Sequence, residues 1–312
     1  MHLSTLSHQT ILYACNDWGM GHLMRSIPII NQLVKQENEI LFAGTTFHIN
    51  VLKEYIPSIE TIIFPGRSFV FKGDGNWNME MLRNTRNLLL GIKEDKTFVQ
   101  KIITEKKITL TISDHRYGFR IKTVPSIFIT HQVSLPLKGI QQFANRWHKK
   151  QLQKFTSVWV LDDENHSFAG KLSMYTSKLP IHYLGIQSRF KKSDLPKQDF
   201  ILAVISGPEP YAKQLFIEII EIAKHSNETI KCISPKGYDT EIILPNNLEL
   251  INHLSWNEKD ELFYQCKSII SRTGYTTIMD IAVLQKPALL IPTPGQDEQE
   301  YLYLLHKQNQ NV

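Results

Sequence analysis

Ile11-Leu12-Tyr13-Ala14-Cys15-Asn16-Asp17-Trp18-Gly19-Met20-Gly21-His22 reads as a buried strand that runs through a two-glycine loop straight into a helix. Five apolar residues in succession, without alternation, are the pattern of a strand covered on both faces. The segment after it places Leu23, Ile27, Ile30 and Val34 on one helical face. The unit then recurs. Strands are expected at Ile40–Ala43, Thr61–Phe64, Ile108–Ile112, Ser126–Thr130, Val158–Leu161 and Ile181–Leu184. Repetition of strand, helix and strand builds a doubly wound parallel α/β sheet with right-handed crossovers.

The pattern breaks at Ser188–Gln198 (SRFKKSDLPKQ), which is polar, charged and contains proline, the composition of an interdomain linker. It restarts with strands at Phe200–Ile205, Thr229–Ile233, Leu248–Ile251, Ser268–Ser271 and Ala288–Ile291, and a helix from about Tyr211 to Lys224. Two Rossmann-like domains are therefore expected, residues 1–187 and 188–312. Ligands of such sheets bind beyond the carboxyl ends of the strands, so two facing domains would enclose a cleft. Pro65–Asn78 (PGRSFVFKGDGNWN) has little periodicity and reads as a long functional or disordered loop. Its Phe69, Val70, Phe71 and Trp77 would touch a lipid surface or pack under the domain.

The chain has 312 residues, and 42% hydrophobic content supplies enough apolar material for two cores. A net charge of +5 is too weak to point to nucleic acid, and fits an anionic substrate or an acidic membrane surface. Cys15, Cys232 and Cys266 are odd in number, far apart and without CxxC spacing. Neither a disulfide framework nor a zinc site follows, and a reducing cytoplasm is expected. With no secretory leader and no apolar stretch of membrane-spanning length, contact with a membrane would be peripheral, on its cytoplasmic face.

Three strand exits concentrate groups that can do chemistry. In the first, Gly19 and Gly21 let backbone N–H groups approach a ligand, and the third glycine of a dinucleotide fingerprint is missing. His22 opens the helix there, placed either to take a proton from a substrate hydroxyl or simply to bond nearby backbone. In the second, Ser206 and Gly207 lead into a helix and would hold phosphate oxygens, or form an ordinary β-α turn. The third is Ser271-Arg272-Thr273-Gly274-Tyr275-Thr276-Thr277-Ile278-Met279-Asp280. Its hydroxyls, free N–H groups and Arg272 are expected to converge on a diphosphate, with Asp280 a turn further on, within reach of a ribose diol. A polar, proline-stiffened loop, Pro292–Gln299, follows it and carries Gln296. Ser113–Gly118 and His131-Gln132 close two more strands on the cleft side; Asp114 or His115 would orient an acceptor, support His22 or serve structure alone. Asp162-Asp163 lacks DxD spacing and reads as a solvated turn rather than a metal site.

The stretch SRTGYTTIMDIAVLQKPALLIPTPGQDEQ, residues 271–299, and WGMGH, residues 18–22, resemble the donor-site signature and glycine-rich loop of family 28 glycosyltransferases. The resemblance implies a GT-B fold, a nucleotide-diphospho-sugar donor, inversion at the anomeric carbon and no need for a metal or other cofactor. UDP-N-acetylglucosamine is the favoured donor by resemblance. Asp280 then stands where an acid binds the ribose, Gln299 where a glutamine contacts the sugar, and Thr276 and Thr277 at the diphosphate turn. Leu254 falls where backbone meets the base, and His22 at the loop histidine. Three departures stand out. Ser206-Gly207-Pro208 replaces a glycine-rich turn, Glu300 follows Gln299 where a second glutamine is usual, and the chain stops soon afterwards, which would shorten the C-terminal domain and impair activity. The expected activity is transfer of a sugar, an N-acetylhexosamine, to the hydroxyl of an acceptor that the sequence leaves open, lipid-linked or not. A sugar-nucleotide epimerase, an inactive nucleotide-sugar-binding protein and a nicotinamide-dependent oxidoreductase are the alternatives.

Overall fold

The computed structural model describes residues 1–136, 142–175, 180–193, 197–235, 237–238 and 243–309. Part of the expected linker, residues 194–196, lies outside them. The first sheet has seven parallel strands in the order β3-β2-β1-β4-β5-β6-β7: β1 Thr10–Cys15, β2 Glu39–Gly44, β3 Glu60–Ile63, β4 Leu110–Asp114, β5 Ser126–Thr130, β6 Ser157–Val160 and β7 Ile181–Tyr183. The second has five parallel strands in the order β10-β9-β8-β11-β12: β8 Ile201–Val204, β9 Ile230–Ile233, β10 Leu248–Ile251, β11 Ser268–Arg272 and β12 Ala288–Ile291. The apolar runs form strands because helices cover both faces: β4, β5 and β6 are buried at every position.

Helix α1, Met20–Lys35, buries Leu23, Ile27 and Ile30. Val34 is 40% exposed, against expectation; Leu33 takes its place in the core because the helix turns slightly past the apolar stripe. Helix α2 is Thr46–Tyr55, and α3 (Trp77–Arg83) and α4 (Thr85–Lys106) follow the long loop. That loop is not a free hydrophobic flap. Phe69 packs on Trp18 with centroids 4.1 Å apart, and Phe71 stacks on Trp77 at 4.8 Å. Trp77 in turn meets Tyr211 of the second domain at 5.6 Å, and of Phe69, Val70, Phe71 and Trp77 only Val70 stays largely exposed. The buried Glu80 carboxylate ties the loop down, accepting from the backbone N–H groups of Lys72 and Gly73 and from the Tyr211 hydroxyl.

The remaining helices are α5 Gln142–Leu152, α6 Tyr211–Lys224, α7 Trp256–Gln265, α8 Tyr275–Leu284 and α9 Asp297–Asn309. Helix α9 returns to the first domain. The Tyr301 hydroxyl accepts from the Lys171 N–H at 2.8 Å, and His306 Nε2 donates to the Phe168 carbonyl. Asp162 is not a solvated turn. It is fully buried, and its carboxylate accepts from the N–H groups of Asp163, Phe168 and Ala169 and from the Ser173 hydroxyl.

Candidate active site

Strand order reverses between β1 and β4 in one sheet and between β8 and β11 in the other. Loops diverge at such points and leave a crevice at the carboxyl ends. The first crevice holds the exits of β1 and β4, hence His22 and Asp114. The second holds the exits of β8 and β11, hence Ser206-Gly207 and Thr273–Thr277.

On the first side, His22 sits in the opening turn of α1, whose N-terminus is Gly19 without a side-chain cap. Its Nδ1 lies 2.9 Å from Asp114 Oδ1, and the side chain is 21% exposed while Asp114 is sealed. Arg25, one turn along α1, donates from Nε to Asp114 Oδ2 at 2.6 Å and from Nη2 to Oδ1. Burial favours a neutral Asp114, but the charges of Arg25 and His22 outweigh it and hold the carboxyl well below its usual range. Burial and then Arg25 push the His22 pKa down, against the pull of Asp114. The imidazole is therefore neutral near pH 7. An Nδ1–H donated to Asp114 leaves Nε2 with a free lone pair at the cleft, the arrangement of a general base with its orienting carboxylate. His115 lies edge-on to the His22 ring, with centroids 5.2 Å apart. It adopts φ 62° at the β4 exit, and its Nε2 meets Thr130 Oγ1 at 2.8 Å.

The second side holds the β11–α8 turn. Helix α8 follows Gly274, which offers no side-chain cap, so its first N–H groups are left for a ligand. Thr273 Oγ1 is buried and without a partner beside them. Thr276 Oγ1 donates to the Gly21 carbonyl across the cleft at 3.0 Å. Thr277 is half-buried on the same turn. Gly207 has φ 102°, and a Cβ there would meet open space; Ser206 is half-buried beside it. Gln299 Oε1 accepts from Thr293 N, and Glu300 Oε1 from Gly295 N, so both side chains brace the Pro292–Gln299 loop. The Gln296 backbone N–H bonds back to the Thr293 carbonyl. Leu254 packs half-buried against the core before α7.

Two expected donor contacts are corrected. Arg272 does not converge on the turn. Side chains alternate along β11, and Arg272 falls on the face of Ile270, which α6 covers. Its guanidinium is buried there, donating to Glu218, the Pro292 carbonyl and the Tyr211 carbonyl. Tyr275 points into the opposite domain: its ring stacks on His131 with centroids 4.2 Å apart, and its hydroxyl donates to the Leu161 carbonyl.

Asp280 lies on α8 with its carboxylate accepting from Ser188 Oγ at 2.6 Å and from Arg189 Nη1 at 2.9 Å. Burial pushes its pKa up against the pull of Arg189. Arg189 also donates from Nε to Asp260 at 2.9 Å. Sequence reasoning passed over Arg189 as a linker charge; an arginine six residues past the end of β7, ahead of the lysine run, was the available signal. Glu298 was also unassigned, and it meets His131, which the sequence places on the cleft side, at 2.7 Å.

Two facing parallel sheets, each with its crevice at a strand-order reversal, are the frame of the GT-B glycosyltransferases. Residues 256–304 match the glycosyltransferase family 28 C-terminal domain, which bears out the resemblance read in the sequence, and the chain is a glycosyltransferase of that frame. It is 24% identical over 281 residues, 88% of this chain and 75% of the relative, to the UDP-N-acetylglucosamine--N-acetylmuramyl-(pentapeptide) pyrophosphoryl-undecaprenol N-acetylglucosamine transferase of Sulfurihydrogenibium sp. (strain YO3AOP1). Among solved structures, the glycotransferase of kitacinnamycin superposes with a TM-score of 0.66 at 14% identity, covering 96% of this chain and 84% of that one. The spinosyn rhamnosyltransferase SpnG complexed with thymidine diphosphate gives 0.65 at 12%, covering 95% and 84%.

Proposed function

We propose that the protein transfers an N-acetylhexosamine, with inversion, from a UDP-sugar to an acceptor hydroxyl, residues 188–312 holding the donor and residues 1–187 the acceptor. The observation that carries this reading is the His22–Asp114 pair facing the uncapped α8 N-terminus across one cleft. The uncapped N–H groups of α8, with the Thr273, Thr276 and Thr277 hydroxyls, hold the departing diphosphate, and the helix dipole stabilises its charge without a metal. Ser206 and Gly207 flank that seat. Asp280 accepts from the ribose hydroxyls once its bond to Ser188 opens, Gln296 and Gln299 line the sugar, and the Leu254 backbone meets the base. His22 takes the acceptor proton at Nε2 while Asp114 holds its tautomer. Gly19 and Gly21 allow the acceptor to approach the loop closely.

The relative from Sulfurihydrogenibium acts with UDP-N-acetylglucosamine on an undecaprenol-linked acceptor, which supports that donor and a lipid-linked acceptor here. Peripheral contact with the cytoplasmic face of a membrane belongs to the same proposal. The test is UDP release from UDP-N-acetylglucosamine with a panel of hydroxyl acceptors, lipid-linked muramyl compounds included. Acceptor-dependent release that disappears in His22→Ala supports the reading. Interconversion of the UDP-sugar without acceptor would overturn it.

A further inference from the structure

The groups around His22 form one continuous chain that ends in the opposite domain. On its own helix His22 faces Arg25, and from the β4 exit it faces Asp114 and His115. Arg25 Nη1 lies 3.2 Å from His131 Nδ1 at the β5 exit. His131 is stacked on Tyr275 of α8, and its Nε2 lies 2.7 Å from Glu298 Oε1 at the start of α9. Gln132 and Arg25 also face Glu298.

Donor and acceptor capacity assigns the protons. A carboxylate only accepts, so His131 donates Nε2–H to Glu298; a guanidinium only donates, so His131 Nδ1 accepts from Arg25. At His22, Nδ1 is contested. Asp114 Oδ1 at 2.9 Å calls for a proton there, and Arg25 Nη2, also at 2.9 Å, calls for a lone pair. Only the first choice leaves Nε2 able to accept a proton from a substrate.

We infer that Glu298 is a positioning residue that selects the base-competent tautomer of His22 through His131 and Arg25. Glu298 fixes the Nε2–H form of His131, which keeps Arg25 Nη1 engaged and the guanidinium square on Asp114. Without Glu298, His131 can carry its proton on Nδ1, facing Arg25 donor to donor. The guanidinium then shifts towards His22, whose Nδ1 accepts from Nη2 and whose proton moves to Nε2. Because Glu298 follows the Pro292–Asp297 loop of the second domain, the base is set only when the two domains are closed. This inference rests on the proposed role of His22 as base.

The experiment is 15N NMR of the full chain labelled at histidine, recorded above the ordinary histidine pKa of about 6.5. The His22 signals are identified by their loss in His22→Asn. Wild type should show a protonated Nδ1. In Glu298→Ala and in His131→Phe, which keeps the stack on Tyr275, His22 Nδ1 should move downfield towards the unprotonated position. Glu298→Gln, whose amide oxygen still accepts from His131, should stay near wild type. An unchanged His22 signal in whichever of Glu298→Ala and His131→Phe folds overturns the inference. UDP titration of the same wild-type sample separates the two ideas, since a lack of UDP binding counts against the function and leaves the tautomer result standing.

Discussion

The Thr276 hydroxyl donates to the Gly21 carbonyl at 3.0 Å, joining the first turn of α8 to the glycine loop that opens α1. A Cβ added at Gly21 would stand 3.1 Å from Thr276 Oγ1, so glycine at this position lets the two helix ends meet. A diphosphate seated at α8 would take the same hydroxyl as a donor. The Gly21 contact and a bound donor therefore compete for Thr276, and donor binding must begin with opening.

Gly295→Ala tests closure more severely. Gly295 has φ 72°, and its Cβ would fall on the Gly75 carbonyl of the other domain, a backbone atom that no rotamer change can move aside. The variant should show a larger radius of gyration by small-angle scattering and slower transfer, with UDP affinity little changed. An unchanged scattering curve would show that the 65–78 segment does not hold the cleft.

His22→Ala should reduce transfer by about 10²–10⁴-fold and leave UDP binding intact. Because burial and Arg25 lower the His22 pKa, the acid limb of kcat/KM should lie below about 6.5. Asp114 raises that pKa, so Asp114→Asn should move the limb further down as well as slowing the reaction. A limb above 6.5 in the wild type would contradict the assignment of the base.

Asp114 also makes stability depend on pH. Its folded pKa is depressed below the ordinary aspartate value of about 3.9, so its contribution is present above about pH 4 and is lost as pH falls below it. Thermal unfolding followed between pH 3 and 6 should show a steeper acid loss for the wild type than for Asp114→Asn.

Arg189 holds two buried carboxylates, Asp260 and Asp280. Arg189→Leu leaves both uncompensated and should cost roughly 3–5 kcal/mol by denaturant unfolding. A loss within 0.5 kcal/mol, the scale of an ordinary surface substitution, would mean the cluster is hydrated rather than buried.

Leu82 of α3 and Leu89 of α4 are exposed, as are Arg83 and Arg86 between them and Val70, whose N–H donates to Asn84 Oδ1. If this face meets the membrane, the protein sediments with anionic vesicles at low salt, and Leu82→Asp with Leu89→Asp abolishes it. Equal sedimentation of the variant would move the contact elsewhere.

The strands and α6 were legible because parallel strands buried on both faces appear as unbroken apolar runs, while α6 carries a clean helical stripe. Helix α4 carries mostly polar residues and buries only Asp95, Val99 and Ile102, too few to show a period. Strand exits located the two crevices, but not the direction of each side chain. Arg272 was read as facing the turn, yet strand alternation turns it under α6. Two of the site's pairs, His131 with Glu298 across the cleft and Arg189 with Asp280 within the second domain, are 167 and 91 residues apart, and no local pattern links them.

The central claim is that the second crevice binds the nucleotide of the donor, and calorimetric titration with UDP tests it most directly. Wild type should bind UDP with one-to-one stoichiometry, and Asp280→Ala, checked for folding by circular dichroism, should lose that binding. Absence of binding by folded wild type, or equal binding by both proteins, would contradict it.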